Sequence, residues 1–458
     1  MSPTAIDTGL LESRHHELRK MRMAMVGGKL VSNLRSVERG VSARAYRGGY
    51  WGFASASAAG SAADEAAAQA RVEQQAIANA RAMARFGTRQ ALALPGEGHR
   101  GEHAFAGRPA LSASECAERL GELHAWVEKT YPGLRSTEFL IGEESHRKAL
   151  RTDLGGESLA HIQRGVVAVS LVGEDSDGAP ISVDEVLSGL GSLADLDWSL
   201  QTLAPLIDRL HEHLQAKRHA VAARGGLQTV VMAPELAGML AHEAMGHPCE
   251  ADAVLAGAVT ADLVGQRVAS ELVTMVDLAH SYDGREVMCP VYVDDEGVAA
   301  RDVVMIDRGR LSQFMHSRET AARMGQAPTG NARAYNPGDE PLVRMRNTAI
   351  LPGSSTIESM IAGVDDGYLL LKTGNGQADT TTEFMFGVTL GYEIRGGKLG
   401  RAIRDTTVSG SAIKVLQSVD AVGNDMYWTC AGYCGKKQPM VVSVGGPSLR
   451  ARAHLGGE

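Results

Sequence analysis

Glycine placement constrains this chain more than any other feature. Its 53 glycines recur beside short segments that alternate apolar and polar residues. That pattern closes tight turns between strands and does not extend long helices. MRMAMV at 21–26 meets Gly27-Gly28 and returns as KLVSNL, the signature of a hairpin. VSARAY turns at Arg47-Gly48-Gly49 and returns as YWGFAS. A helix signal follows over 61–87, with Ser61 and Asp64 spaced as a capping box and Gly87 at the expected stop; its alanine bias suits close packing on a sheet.

Residues 96–110 read as a loop between subdomains, followed by a helix over about 112–129 and a strand through 165–175. A long helix is expected over about 192–222, kinked at Pro205. Its His211, His213 and His219 read as solvated surface residues. Gly225-Gly226 closes this half. Beyond it, LQTVVMAP reads as a strand, ELAGMLAHEAMGH as a helix, and the chain from 288 onward as strand and turn. The expected class is α+β: an N-terminal α/β region over 1–225, with a break near 96–110, and a C-terminal β-rich body over 226–458. That second body is largely antiparallel, sheet- or barrel-like, and carries one buried helix.

Charge and hydropathy remove several classes of function. With a net charge of -8 and no Lys/Arg-rich run, the chain has no electrostatic footprint for nucleic acid. Its first twenty residues lack the apolar core of a signal peptide, and no apolar stretch of about 18 residues offers a membrane span. A cytoplasmic protein is expected. The five cysteines, at 116, 249, 289, 430 and 434, do not suit a disulfide framework. Cys116 and Cys289 read as small buried hydrophobes.

The chemistry concentrates in His242-Glu243-Ala244-Met245-Gly246-His247, preceded by an apolar helical run and followed by Pro248. Neutral imidazoles hold zinc, and an adjacent carboxylate can take a proton from zinc-bound water. The spacing is unusual, because histidines five apart lie about 140° around a regular helix. Gly246 and Pro248 both weaken α-geometry. A π-type turn, or a helix ending at Gly246, would bring the rings onto one face. By composition such a match arises in about three chains in a hundred, so its place on an apolar helix carries much of the weight.

A catalytic zinc takes three protein ligands plus water. Cys249, Glu250, Asp252, Cys430 and Cys434 are the candidates for the third, with Cys249 too near His247 to reach back around a metal. The glycine-flanked TCAGYCGKKQ leaves the choice open between Cys430 and Cys434.

An ordered set of segments resembles the TldD/PmbA family of metallopeptidases over nearly the whole chain. The set is RGVSARAYRGGYWGFAS, HEAMGHPCEAD, TGNARAYNP, RMRNT, FMFGVTLGYEI, AVGND and YCGKKQ. The resemblance implies an N-terminal α/β region and a β-rich catalytic domain. It implies one zinc per chain on His242, His247 and Cys434, with Cys430 left to packing. It also implies flexible or unfolded peptides, some of them modified, as substrates. The implied partner is a PmbA-type subunit lacking the motif, with a homodimer as the competing assembly. Pro248-Cys249 and the extra thiol of Cys430 depart from the family pattern.

The leading expectation is therefore a zinc-dependent metallopeptidase with Glu243 activating zinc-bound water. Alternatives are a zinc amidase acting on a small amide or conjugate, and a non-catalytic binding subunit. Arg333, Arg344 and Arg346 are candidates to pair a peptide carboxylate, against the blander reading of surface salt bridges.

Overall fold

The computed structural model describes residues 9–457 apart from 59, 88, 106, 379 and 380. The first half is one twisted sheet. Strands β1 (Leu10–Val26), β2 (Lys29–Arg47), β3 (Tyr50–Ser57), β5 (Ser136–Thr152) and β6 (Glu157–Glu174) run in the order β3-β2-β1-β5-β6. Strand β4 (Arg100–Ala104) and β7 (Pro180–Leu190) both pair with β6. All pairings are antiparallel except that of β4 with β6.

Both expected hairpins form, but they merge into a meander of much longer strands. β1 and β2 pair from Leu10↔Tyr46 to Val26↔Lys29, and Gly27 and Gly28 turn the chain with φ of 52° and 75°. Residues 96–110 are not all loop, because β4 adds there beside β6.

Helix α1 (Ala62–Ala84) carries both halves of the Ser61/Asp64 capping box. Its buried Ala68, Val72, Ala76 and Ala80 pack on the sheet, and a Cβ at Gly52 of β3 would stand 2.2 Å from Ala76 O. Only small residues allow that approach. Helices α2 (Ala113–Thr130) and α3 (Leu200–Lys217) cover another part of the sheet, burying Cys116, Leu120, Leu203 and Ile207 against Met23 and Phe139.

The third helix begins later than the sequence suggests. Asp195 accepts from the backbone N–H groups of Arg108 and Ser192, each at 2.8 Å, and Ser199 caps the helix, so residues 192–199 stay in turns. Nor are its histidines simply solvated: His213 lies 2.7 Å from the Tyr392 hydroxyl and His211 stacks on Tyr131.

The second half closes a five-stranded barrel from β8 (Gly226–Met232), β9 (Asp366–Ala378), β10 (Glu383–Arg395), β11 (Thr406–Ser411) and β12 (Leu449–Leu455). The circuit runs β9-β8-β12-β11-β10 and back to β9. Only β8 and β9 pair parallel within it. A mixed sheet, including 275–278, 303–307, 347–350, 443–446 and 427–429, packs nearby with 427–429 at its edge. Between these layers runs α4 (Pro234–Leu240), its Leu236 and Leu240 buried with Phe384, Phe386, Met345 and Leu449. The architecture is the expected α+β arrangement with a barrel-like second body.

A buried ionic seam joins the halves. Asp295 pairs with Arg14 at 3.1 Å and Lys148 at 2.7 Å, and Arg44 bridges Glu12 and Glu296. Among the described residues no helix is long and apolar enough to cross a membrane.

Candidate metal centre

Helix α4 does not end at Leu240 but widens into a π-turn over Ala241–Gly246, followed by a 3₁₀ turn over His247–Cys249. The backbone N–H of His247 donates to the carbonyl of His242, five residues back. One turn of that width stacks the histidines on a single face, with ring centroids 5.0 Å apart and planes at 80°. Of the two geometries open to the sequence, the π-turn is the one adopted. Pro248 supplies part of the reason, since it has no N–H to continue an α-helical ladder. Gly246 supplies another: a Cβ there would meet the Met345 sulfur at 2.2 Å.

The third candidate donor arrives from far along the chain. Cys434 lies on a two-residue strand, 433–434, paired with 440–441, and its Sγ is 3.3 Å from His247 Nε2. Ligand atoms of His242, His247 and Cys434 all lie within 4.8 Å of one another. Zinc bonds of about 2.0–2.3 Å separate neighbouring ligands by about 3.3–3.8 Å, so a slight inward rotation of the rings suffices.

Buried Arg344 holds this loop by donating to the carbonyls of Cys434 (2.7 Å), Lys436 (3.0 Å) and Gln438 (2.8 Å). Lys436 reaches back to Glu250 at 3.1 Å and Asp252 at 2.7 Å, and Glu250 Oε2 stands 3.0 Å from His247 Nδ1. Glu250 and Asp252, weighed as ligands from sequence, thus stand one step outside the donor cluster.

The electrostatics suit a cation. Burial alone would raise the Cys434 thiol, but the adjacent His242 and His247 hold it down to about 3, so it is present as the thiolate that metals bind. Burial lowers His247, but its contacts with Cys434 and Glu250 outweigh that and raise it well above the usual imidazole range. His242 is buried, and its Nδ1 has no hydrogen-bond partner in the protein. Two imidazoles and a thiolate form a donor set that fits zinc.

Glu243 follows His242 on the π-turn, with Oε2 4.0 Å from His247 Nε2. Together with His242 it lines a cleft of about 410 Å³, walled by Glu235, Lys372, Tyr427 and Tyr433. The three arginines are not in that wall. Arg346 is fully enclosed and bonded to Asp277 at 2.7 Å, Arg344 braces the cysteine loop, and Arg333 faces a different cavity. They form neither a carboxylate pocket on the cleft nor surface salt bridges. Among the other cysteines, Cys249, Cys289 and Cys430 are buried in the hydrophobic core.

Sequence reasoning missed the orienting position of Glu250 and the role of Lys436. The i,i+3 spacing of His247 and Glu250 is a signal that could have found the first.

Comparison with known proteins bears on the family of the chain. Residues 225–455 match the PmbA/TldA metallopeptidase C-terminal domain, and residues 12–84 match PmbA/TldA metallopeptidase domain 1. A zinc metalloprotease TldD homologue from Saccharolobus solfataricus is 30% identical over 340 residues, 73% of this chain and 75% of that protein. A metalloprotease from Methanocaldococcus jannaschii is 40% identical over 229 residues, covering 49% of this chain and 50% of that one. The crystal structure of TldE from Thermococcus kodakarensis superposes with a TM-score of 0.76 over 98% of this chain and 97% of that chain, at 16% identity, a likeness of fold alone. The chain belongs to the PmbA/TldD family of metallopeptidases.

Proposed function

We propose that this chain is the catalytic subunit of a zinc-dependent peptidase acting on extended peptides. The observation that carries this reading is a convergence: two histidines on one π-turn meet a thiolate 187 residues beyond His247, with Glu243 beside them on a cleft. In this reading residues 226–458 perform the chemistry and residues 1–225 brace it.

Zinc held by His242, His247 and Cys434 would supply Lewis-acid polarisation of the scissile carbonyl and acidify water. Glu243 accepts a proton from the attacking water and returns it to the departing amine. Its place next to His242 on a buried turn fixes the carboxylate relative to the donors, so little reorganisation precedes the proton transfer. Glu250 keeps the His247 ring oriented through Nδ1. The edge strand 427–429 presents Tyr427 and Thr429 to the cleft. An extended peptide can add to that edge through backbone hydrogen bonds, which selects for unfolded chains more than for particular side chains. The family resemblance supports a partner of the same fold that lacks the metal motif.

The test is digestion of a mixture of unstructured peptides, followed by mass spectrometry, with the metal-loaded chain, the chelated chain and the chelated chain resupplied with zinc. Cleavage that stops on chelation and returns with zinc is expected. Cleavage indifferent to chelation would overturn the proposal.

A further inference from the structure

Arg346 meets Asp277, and Arg344 spends its charge on three carbonyls. Arg333 is served less well. Its Nη1 donates to the Met345 carbonyl at 2.5 Å, and among the described residues it pairs with no carboxylate. Burial pushes its guanidinium down to about 10, so it is still a cation at neutral pH. Arg333 is only partly buried, and it lines a cavity of about 90 Å³ at the seam between the halves. Lys148 lines the same cavity. Burial, with Arg14 and Arg333 nearby, outweighs the pull of Asp295 and brings the Lys148 ammonium down to about 8. Two cations withdrawn from water thus share one wall, short of counter-charge.

The acids on that wall are already committed. Asp295 is shared by Lys148 and Arg14, and its Oδ2 also accepts from the Ala334 N–H at 2.8 Å. Glu144 accepts from the Tyr335 hydroxyl at 3.0 Å and stands 2.7 Å from His146 Nε2 and 3.5 Å from Arg164. Asp294 accepts from the backbone N–H groups of Glu296 at 3.0 Å, Val298 at 2.9 Å and Ala332 at 3.0 Å. Leu150, Ile162, Met288, Val291, Val293 and Met440 make the rest of the lining apolar. A water needs about 10–15 Å³ of such space, so the cavity takes a ligand of about four to seven heavy atoms.

We propose that this cavity binds a short-chain monocarboxylate, its carboxylate on Arg333 and Lys148 and its aliphatic chain against the apolar wall. A guanidinium offers paired N–H donors in the plane that a carboxylate matches. Lys148 spends two of its three donors on Asp295 and the Ala334 carbonyl, each at 2.7 Å, which leaves the third for the ligand. The three acids repel a dianion such as phosphate more than a monoanion, and the apolar lining rewards a hydrocarbon tail. The cavity shares no lining residue with the cleft over His242 and Glu243. This site is therefore separate from the metal centre and stands whether or not the zinc reading does.

The experiment titrates the metal-loaded full chain with sodium propionate by isothermal calorimetry, with propionamide and phosphate as comparison ligands at matched ionic strength. One propionate per chain is expected, with a Kd of about 1 mM or tighter. Propionamide, which has the same shape without the charge, should show no saturable binding. Arg333→Met should weaken propionate binding about 10- to 100-fold, and Arg333→Lys should fall between that variant and the wild type. Propionate held by the metal instead would persist in Arg333→Met. If Arg333→Met does not fold, the wild-type comparison of propionate with propionamide and the Arg333→Lys titration decide. No saturable propionate binding, equal binding of propionamide, tighter binding of phosphate, or an Arg333→Met protein that binds as the wild type does would each overturn the proposal.

Discussion

Glu250 Oε2 stands 3.0 Å from Nδ1 of His247, while Nε2 of the same ring lies 3.3 Å from Cys434 Sγ. A carboxylate accepting from Nδ1–H fixes the tautomer and aims the Nε2 lone pair at the donor cluster. Glu250→Gln keeps the size of the side chain and removes the charge. It should weaken zinc binding about 10- to 100-fold, measured by competition with a chromophoric chelator. Unchanged affinity in a folded variant would remove Glu250 from the metal site.

The two cysteines of the TCAGYC segment should separate cleanly. Elemental analysis of Cys434→Ala should show zinc largely lost, and Cys430→Ala should retain it. The reverse pattern would mean that the wrong thiol has been assigned to the metal.

Much of this site is legible in the sequence, because its distinctive geometry is local. Five-residue spacing, Gly246 and Pro248 together admit few conformations that place both imidazoles on one face, and the π-turn is one of them. The third donor is different. Choosing Cys434 over Cys430 depends on a loop held by Arg344, whose burial results from packing between segments some 90 residues apart. Family resemblance supplied that choice; residue chemistry alone did not. For the same reason Arg344 and Arg346 read as exposed charges, although one braces a loop and the other is sealed against Asp277.

Hairpin turns were visible through paired glycines, whereas strand length was not. β2 runs through Gly40, where a Cβ would stand 2.6 Å from Pro337, a contact set by the other half of the chain. β4 escaped notice because a short parallel partner on a sheet leaves little pattern of its own.

The ionic seam should give a specific acid sensitivity. Burial would raise the Asp295 carboxyl, but Lys148 and Arg14 hold it at about 2, below its ordinary 3.8. A carboxyl depressed on folding contributes stability that is present above the unfolded value and is lost as pH falls toward the folded one. Between pH 5 and pH 2 the wild type should lose about 2 kcal/mol more than Asp295→Asn, read from denaturant unfolding. Parallel pH curves for the two proteins would show that the seam does not set this dependence.

A subunit of the same fold that lacks His-Glu-x-x-x-His should form a defined complex with this chain on co-expression, seen by size exclusion with light scattering. The complex should cleave peptides faster than the chain alone. A purely homomeric chain that is fully active, and unchanged by any such partner, would sink the heteromeric assembly and leave the metal chemistry standing.

The most direct test is Glu243→Gln, with zinc content and peptide turnover measured on the same preparation. Zinc should remain at one per chain, since Glu243 is not among the three donors. Turnover should fall by about 10²- to 10⁴-fold, the usual contribution of a general base. A zinc-replete Glu243→Gln protein that cleaves peptides at the wild-type rate would place the base elsewhere and contradict the mechanism.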